Sequence, residues 1–245
     1  FACFLSSRPN EQIYNNASER TKIVYVGSLA GVVPGGPGHS HQAVRDISAL
    51  AGMPGMVLLE PSCEREVEMA LSHCVNSHSG PSYLRLVSIP CDVPYELPAD
   101  YRMEPGRGIA LTEGSDALLF TYGPVMLPSA WRAAQQLVTA HGVGLKVVNL
   151  PWLNVVDAAW LAALVRDYHH VIALDNHYVA GGQGDHIASA LAGSGLPGTI
   201  RLHRWGIGDI PPCGTNDEIL AALKLDTQGI ADRVVALLRD APSRR

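Results

Sequence analysis

The sequence predicts an α/β protein built from two consecutive three-layer α/β/α domains with mostly parallel sheets. Three observations carry this reading. Short apolar, β-branched runs recur along the chain, segments with helical spacing separate them, and a proline-rich stretch interrupts the pattern once. Regular alternation of strand and helix gives a mostly parallel sheet covered on both faces.

In the first unit, Lys22–Ser28 (KIVYVGS) reads as a buried strand. After a Gly/Pro loop, His41–Ala51 carries Val44, Ile47 and Leu50 at helical spacing. Met56–Glu60 is a strand ended by Pro61. Ser62–Val75 is a helix with Val67, Ala70, Leu71 and Cys74 on one face and acidic residues in its first turn. Ser82–Val87 is a third strand. Ile89–Arg107 contains Pro90, Pro94, Pro98 and Pro105 and reads as an extended linker. The expected division is therefore 1–92, a linker at 93–107, and 108–245.

The second unit opens with a strand at Asp116–Tyr122 (DALLFTY) and a helix at Pro128–His141, with Trp131, Ala134, Leu137 and Val138 facing inward. Leu145–Leu150 is a strand, Ala158–Arg166 a helix, and His170–Leu174 a strand. Gly182–Leu191 is a helix, Thr199–His203 a strand, and Asn216–Leu238 holds two helices split near Asp226.

Composition narrows the function. Hydrophobic residues make up 47% of the 245 and charged residues 17%, enough for real cores with some surface left for a partner subunit. The net charge of −5 comes without a basic run, which argues against nucleic acid. No window approaches the roughly 18 apolar residues of a membrane span. Five scattered cysteines with no C-x-x-C pair make a disulfide framework improbable and point to a reducing cytoplasm. No signal peptide is visible, and Phe1 in place of a Met leaves the existence of a native leader open.

The most unusual stretch is Gly31–Gln42 (GVVPGGPGHSHQ). It follows a buried strand, at the end where ligands bind in open α/β sheets. Glycines let backbone N–H groups approach a ligand closely, and a helix start near Ser40 adds positive potential. His39 and His41 flank that start, and histidine exchanges protons near neutral pH. A sharply turned loop with surface histidines accounts for the same residues equally well. The loop has neither the GK[ST] of a phosphate-binding loop nor a proper GxGxxG. No nearby carboxylate or cysteine completes a metal site.

The run GPGHSHQAVRDISALAGMPGMVLLEPSCEREVEMAL resembles the transketolase and deoxyxylulose-phosphate synthase pattern. In that pattern a D-G-P-T-H-Q loop precedes a helix, a strand and P-x-D-x-x-E. The stretch VVNLPWLNVVDAAWLAALVRDYHHVIALDNHYVAGGQGDHIASAL is similar to the family's C-terminal domain. GTNDEILAALKLDTQGIADRVVALL resembles its closing segment. The likeness covers nearly the whole chain, and two domains matching in order make it specific.

The resemblance implies thiamine diphosphate as cofactor, with Mg2+ or Ca2+ bound by another half. The chain looks like a pyrimidine-binding domain lacking its beginning, followed by the C-terminal domain. The GDG…N diphosphate motif and the activating glutamate are not in it. The expected partner is an N-terminal transketolase subunit carrying the diphosphate-binding domain, with self-association into a dimer of heterodimers. Phe1 and Phe4 match the aromatic pair that packs on the aminopyrimidine. Arg8, followed by Asn10-Glu11-Gln12-Ile13, matches an R-A-y-D-Q segment whose arginine meets substrate phosphate in some members. His41 matches the active-site histidine that meets the substrate's hydroxyl and carbonyl region. Ser28 stands where some members carry another histidine, and His39 joins the substrate-binding candidates.

Two departures stand out. The aspartate before the histidine loop has become Gly36 or Pro37, and Ser88 replaces an arginine that binds sugar phosphate. Losing a bidentate phosphate donor is not conservative. Arg85 lies close by but points to the other face of its strand. Asp175, Asn176 and His177 read as following a strand, in a domain that is mainly structural in the family. His73, His78, His169 and His170 read as surface or cap residues. The implied activity is transfer of a two-carbon ketol unit from a ketose or keto acid to an aldehyde, in a biosynthetic pathway. Alternatives are a deoxyxylulose-phosphate-synthase-like enzyme, a keto-acid dehydrogenase β-type subunit, or a non-catalytic stabilising subunit.

Overall fold

The computed structural model describes residues 1–195 and 200–239. Two short helices come first, α1 (Ala2–Leu5) and α2 (Asn10–Ser18). Three parallel strands follow: β1 (Val24–Gly27), β2 (Val57–Leu59) and β3 (Ser82–Arg85), in the order β1-β3-β2. Successive strand side chains point to opposite faces, so each strand feeds two cores. On one side Leu58 and Tyr83 pack with Ile13 and Ala17 of α2 and with Ile47 and Leu50 of α3 (Asp46–Leu50). On the other, Leu59 and Leu84 pack with Cys74 and with Ala70 of α4 (Glu64–Ser72).

The second sheet has the order β4-β6-β5-β7-β8. Its parallel members are β5 (Ala117–Thr121), β6 (Leu145–Asn149), β7 (His170–Tyr178) and β8 (Arg201–Ile207). β4 (Ile109–Ala110) is an antiparallel edge on β6. Leu119, Val147 and Ile172 face α5 (Gly123–His141) and α9 (Thr227–Arg239), meeting Leu137 and Ile230. Leu118, Val148 and Val171 face α6 (Ala158–Val165) and α7 (Gln183–Gly193), meeting Leu161 and Ile187. Before α9, α8 (Asn216–Ala222) starts with a capping box between Thr215 and Glu218. Leu119 is fully buried on the central strand. Leu119→Ala should cost about 2–5 kcal/mol of stability in urea unfolding, through lost transfer energy and a residual cavity.

The sheets are joined at the edge of β2. Leu153 N–H donates to Leu58 O (2.9 Å), and Glu60 N–H donates to Pro151 O (2.9 Å). Asn154 accepts from Leu58 N–H (2.9 Å) and donates to Met56 O (2.8 Å). These bonds satisfy an edge that would otherwise stay unpaired. The stretch expected as a linker is tied down as a strap. Arg65 donates to the carbonyls of Pro98, Ala99 and Tyr101, and the Tyr101 hydroxyl donates to buried Glu66 (2.8 Å).

Several elements differ from expectation. The helix expected over 41–51 is reduced to α3, because residues 39–45 make a turn and a loop closure instead. The helix expected from Pro128 begins at Gly123, with Pro128 one turn inside it. There the only backbone bond it forfeits is to the first turn. α4 passes into a π-helical turn, His73–Ser77. β7 runs on through Asp175, Asn176 and His177, which therefore lie in a strand rather than after one. His170 is buried and bonded to His203 (3.1 Å), not a surface residue, and the His73 ring meets Trp152 edge-on at 4.9 Å. Thr199 lies outside the described residues.

Candidate functional site

One turn of helix brings Phe1 and Phe4 together, since side chains three apart share a helix face. Their rings stack at 5.8 Å and 17°. The start of α1 is held by Ala2 N–H donating to Ser28 O (2.6 Å), at the end of β1. Ser28 thus adjoins the site through its backbone.

The histidine loop closes on itself at a neck. Gly31 N–H donates to Ala43 O (3.1 Å), and Ala43 N–H donates to Gly31 O (2.9 Å). Inside it, a turn is made by His41 N–H and Gln42 N–H donating to Gly38 O (2.9 and 3.1 Å). That turn sets the His41 ring edge-on against both phenylalanines, at 5.7 Å from Phe1 and 5.1 Å from Phe4. Ser40 Oγ lies 2.9 Å from His41 Nδ1. The Arg8 guanidinium lies over the Phe4 ring at 4.1 Å, a cation–π contact.

A cleft of about 380 Å³ opens beside this cluster, lined by Phe4, Arg8, His39, Ser40 and Arg45 among others, with no carboxylate. Two guanidiniums in such a cleft favour an anionic group. Arg45, which donates to Ser7 Oγ (2.9 Å), is a site residue the motif reading passed over. A signal existed: it is the one Lys or Arg between Gly31 and Leu50.

Ser88 is not brought into this cleft. It sits in the left-handed region (φ +59°) and lines a separate cavity of about 840 Å³ with Ser62, Cys63 and Cys91. That cavity is larger but contains no histidine. The ring cluster and the paired arginines make the smaller cleft the candidate site.

Arg85 is fully buried behind the histidine loop. Its Nε donates to Asp46 Oδ2 (2.8 Å), its Nη1 to Glu60 Oε2, and its Nη2 to Ala43 O (2.8 Å). Gly123 (φ +72°) lets Glu60 in, since a Cβ there would overlap the carboxylate. Burial pushes the Glu60 carboxyl up to about 7, against the downward pull of Arg85. Nearby Asp175 accepts from Tyr122 Oη (3.0 Å), Gln183 N–H (2.8 Å) and Gly184 N–H (3.0 Å). Burial still outweighs those donors and raises it to about 6.

Residues 1–88 match the pyrimidine binding domain of transketolase, and residues 106–230 match the transketolase C-terminal domain. The chain belongs to the transketolase family. It is 27% identical over 237 residues to a Methanocaldococcus jannaschii protein named for a transketolase C-terminal section, covering 96% of this chain and 72% of that one. It is 30% identical over 241 residues to 1-deoxy-D-xylulose-5-phosphate synthase 1 of Geobacter sulfurreducens, covering 97% of this chain and 37% of the synthase. Among solved structures, a split-gene transketolase in an inactive β4 tetramer superposes with a TM-score of 0.80 at 27% identity. That match covers 98% of this chain and 74% of the other. As for membranes, no helix among the described residues is long and apolar enough to cross one.

Proposed function

We propose that this transketolase-family chain is the C-terminal component of a thiamine-diphosphate-dependent enzyme. It would move a two-carbon ketol unit from a ketose or keto acid to an aldehyde in a biosynthetic pathway. The observation that carries the reading is the three-ring cluster of Phe1, Phe4 and His41, assembled from segments far apart in sequence beside a cationic cleft. The fit to an aminopyrimidine rests on Phe1, whose side chain is stacked on Phe4 yet 53% exposed, leaving aromatic surface to cover.

Thiamine diphosphate, when bound, would supply an electron sink for the charge freed when the bond beside the donor carbonyl breaks. Phe1 and Phe4 would hold its pyrimidine ring. His41 engages Ser40 through Nδ1, so its Nε2 is the nitrogen left to exchange a proton with a substrate hydroxyl or carbonyl oxygen. Arg8, Arg45 and His39 take an anionic end of the substrate, and the Ser28 hydroxyl donates a hydrogen bond to it. The diphosphate and its Mg2+ or Ca2+ are assigned to an N-terminal transketolase subunit. The names of the C-terminal-section relative and of the split-gene neighbour support such a partner and self-association, here as a dimer of heterodimers. Within this reading the domain limits are 1–92 and 108–245. Five free cysteines fit work in a reducing cytoplasm.

Mass spectrometry of the natively purified complex tests this reading. A second polypeptide with thiamine diphosphate and a divalent metal is expected, and a stable cofactor-free homodimer would overturn it. In the reconstituted complex, Phe4→Ala should weaken thiamine diphosphate binding by about 2- to 12-fold, the equivalent of an aromatic pair worth about 0.5–1.5 kcal/mol. Fluorescence titration measures it. Similarity to deoxyxylulose-phosphate synthases favours a second reading, an enzyme of that type. Product analysis separates the two by whether the ketose formed carries a C1 hydroxyl, as ketol transfer requires, or lacks it, as a 1-deoxy sugar does.

A further inference from the structure

The neck of the histidine loop does not close unaided. Val32 N–H, the residue after Gly31, donates to Asn176 Oδ1 (3.0 Å) on β7. Arg85 Nη2 bridges both sides of the junction, donating to Ala43 O and to Asn176 O (2.8 Å each). One residue on, Tyr178 N–H donates to Val44 O (2.9 Å), so the end of β7 grips the loop's exit as well as its entrance. Gly31 stands at φ +84°, and a Cβ there would overlap the Asn176 amide. The loop entrance is therefore shaped to admit this side chain.

Asn176 is costly where it stands. It is fully buried, and its Nδ2 has no hydrogen-bond partner among the described residues. A buried amide used on only one side is a poor choice for stability alone. Its Oδ1 has a definite task, accepting from the Val32 N–H. That bond fixes the loop entrance, and His41 lies two residues before the loop's closing residue, Ala43.

We propose that Asn176 is a positioning residue for His41: with Arg85, it clasps the loop neck from the second sheet and so sets the imidazole against Phe1 and Phe4. The functional importance of this clasp rests on the reading of His41 given above; its geometry does not. It also gives the C-terminal domain a part in the site beyond scaffolding. Local departures from stable packing are expected where a site must be held in one arrangement.

The test compares Asn176→Ala, which removes the acceptor, with Asn176→Asp, which keeps one. In the full chain, the His41 ring-proton resonances carry ring-current shifts from Phe1 and Phe4. In Asn176→Ala they should move to the values of an unstructured histidine, and Val32 amide exchange should rise at least tenfold. Asn176→Asp should restore both, and β5 and β6 amides should stay protected in each variant. In the reconstituted complex, Asn176→Ala should lower kcat at least tenfold with KM changed less than threefold. Unmoved His41 resonances in Asn176→Ala, or a rise in exchange spread evenly over β5 and β6, would overturn the proposal. The resonance arm needs no turnover. A wild-type complex with no ketol transfer would overturn the functional reading instead, while the His41 shifts would still decide the clasp.

Discussion

His41→Ala in the reconstituted complex should lower kcat by about 10²- to 10⁴-fold, the usual worth of a positioned proton-transfer group. The expectation follows from placement. The imidazole has Ser40 on one nitrogen and two aromatic rings along its edges, beside a cleft with Arg8 and Arg45. Alanine removes both the proton and the packing, so a second variant is needed. His41→Phe keeps an aromatic edge against Phe1 and Phe4 but cannot carry a proton. If the role is proton transfer, both variants should lose turnover alike, while His41→Phe binds thiamine diphosphate close to normally. If the role is packing, His41→Phe should recover most of the activity. Turnover within twofold of the parent in His41→Ala would remove the residue from the mechanism altogether. Steady-state kinetics beside cofactor titration give both readouts.

What made the site legible was chemistry carried in short motifs. Phe1 and Phe4 lie one helical turn apart, and the HSHQ tetrapeptide puts His41 near the end of a loop that follows a strand. Those features survive in the sequence because each depends on close neighbours. The main strands were legible for the same reason: KIVYVGS and LKVVNL advertise burial by composition. Elements that rely on distant partners were not. α2 anchors itself through Ile13 and Ala17 alone amid polar residues, too few to show a period. β4 is two residues that pair with β6, too short a run to show alternation. β7 looked finished at Leu174 because Asp175, Asn176 and His177 are polar, yet all three are buried. Their partners come from other segments: Tyr122, Gln183, Arg85, Val32 and Ser48. A polar residue whose partner lies a hundred positions away reads as a loop, and the strand assignment fails there for that physical reason. Arg85 was expected on the other face of its strand from the lost arginine. The structure shows that face to be the interior behind the histidine loop.

Arg85→Met should be the most destabilising single change in the first sheet, and its cost should depend on pH in a stated direction. The parent cluster holds one guanidinium against Asp46 and Glu60, with all three side chains at 0% exposure. Removing the cation strands two buried carboxyls, which costs about 3–5 kcal/mol for a broken buried pair. The sign with pH follows from Glu60. Its carboxyl loses its proton near 4.5 in the unfolded chain and near 7 when folded, with Arg85 present. The folded form therefore holds the extra proton between those values, and the stability linked to it is complete below 4.5 and lost as pH rises through 7. Asp175, raised from 3.8 to about 6, acts in the same direction. Without Arg85 the downward pull on Glu60 disappears, so its folded value rises further and the window widens upward. At pH 5 Glu60 is protonated in both folded proteins, so the difference between parent and variant shrinks by Glu60's share and leaves the lost hydrogen bonds and the stranded Asp46. At pH 8 the full cost returns. Urea unfolding of both proteins at the two pH values measures this. An equal penalty at pH 5 and pH 8 would mean that Arg85 acts through Asp46 and its bonds to Ala43 O and Asn176 O rather than through its pairing with Glu60. Arg85→Lys separates those further, since it keeps the charge but cannot span both carboxylates and both carbonyls with one rigid fork.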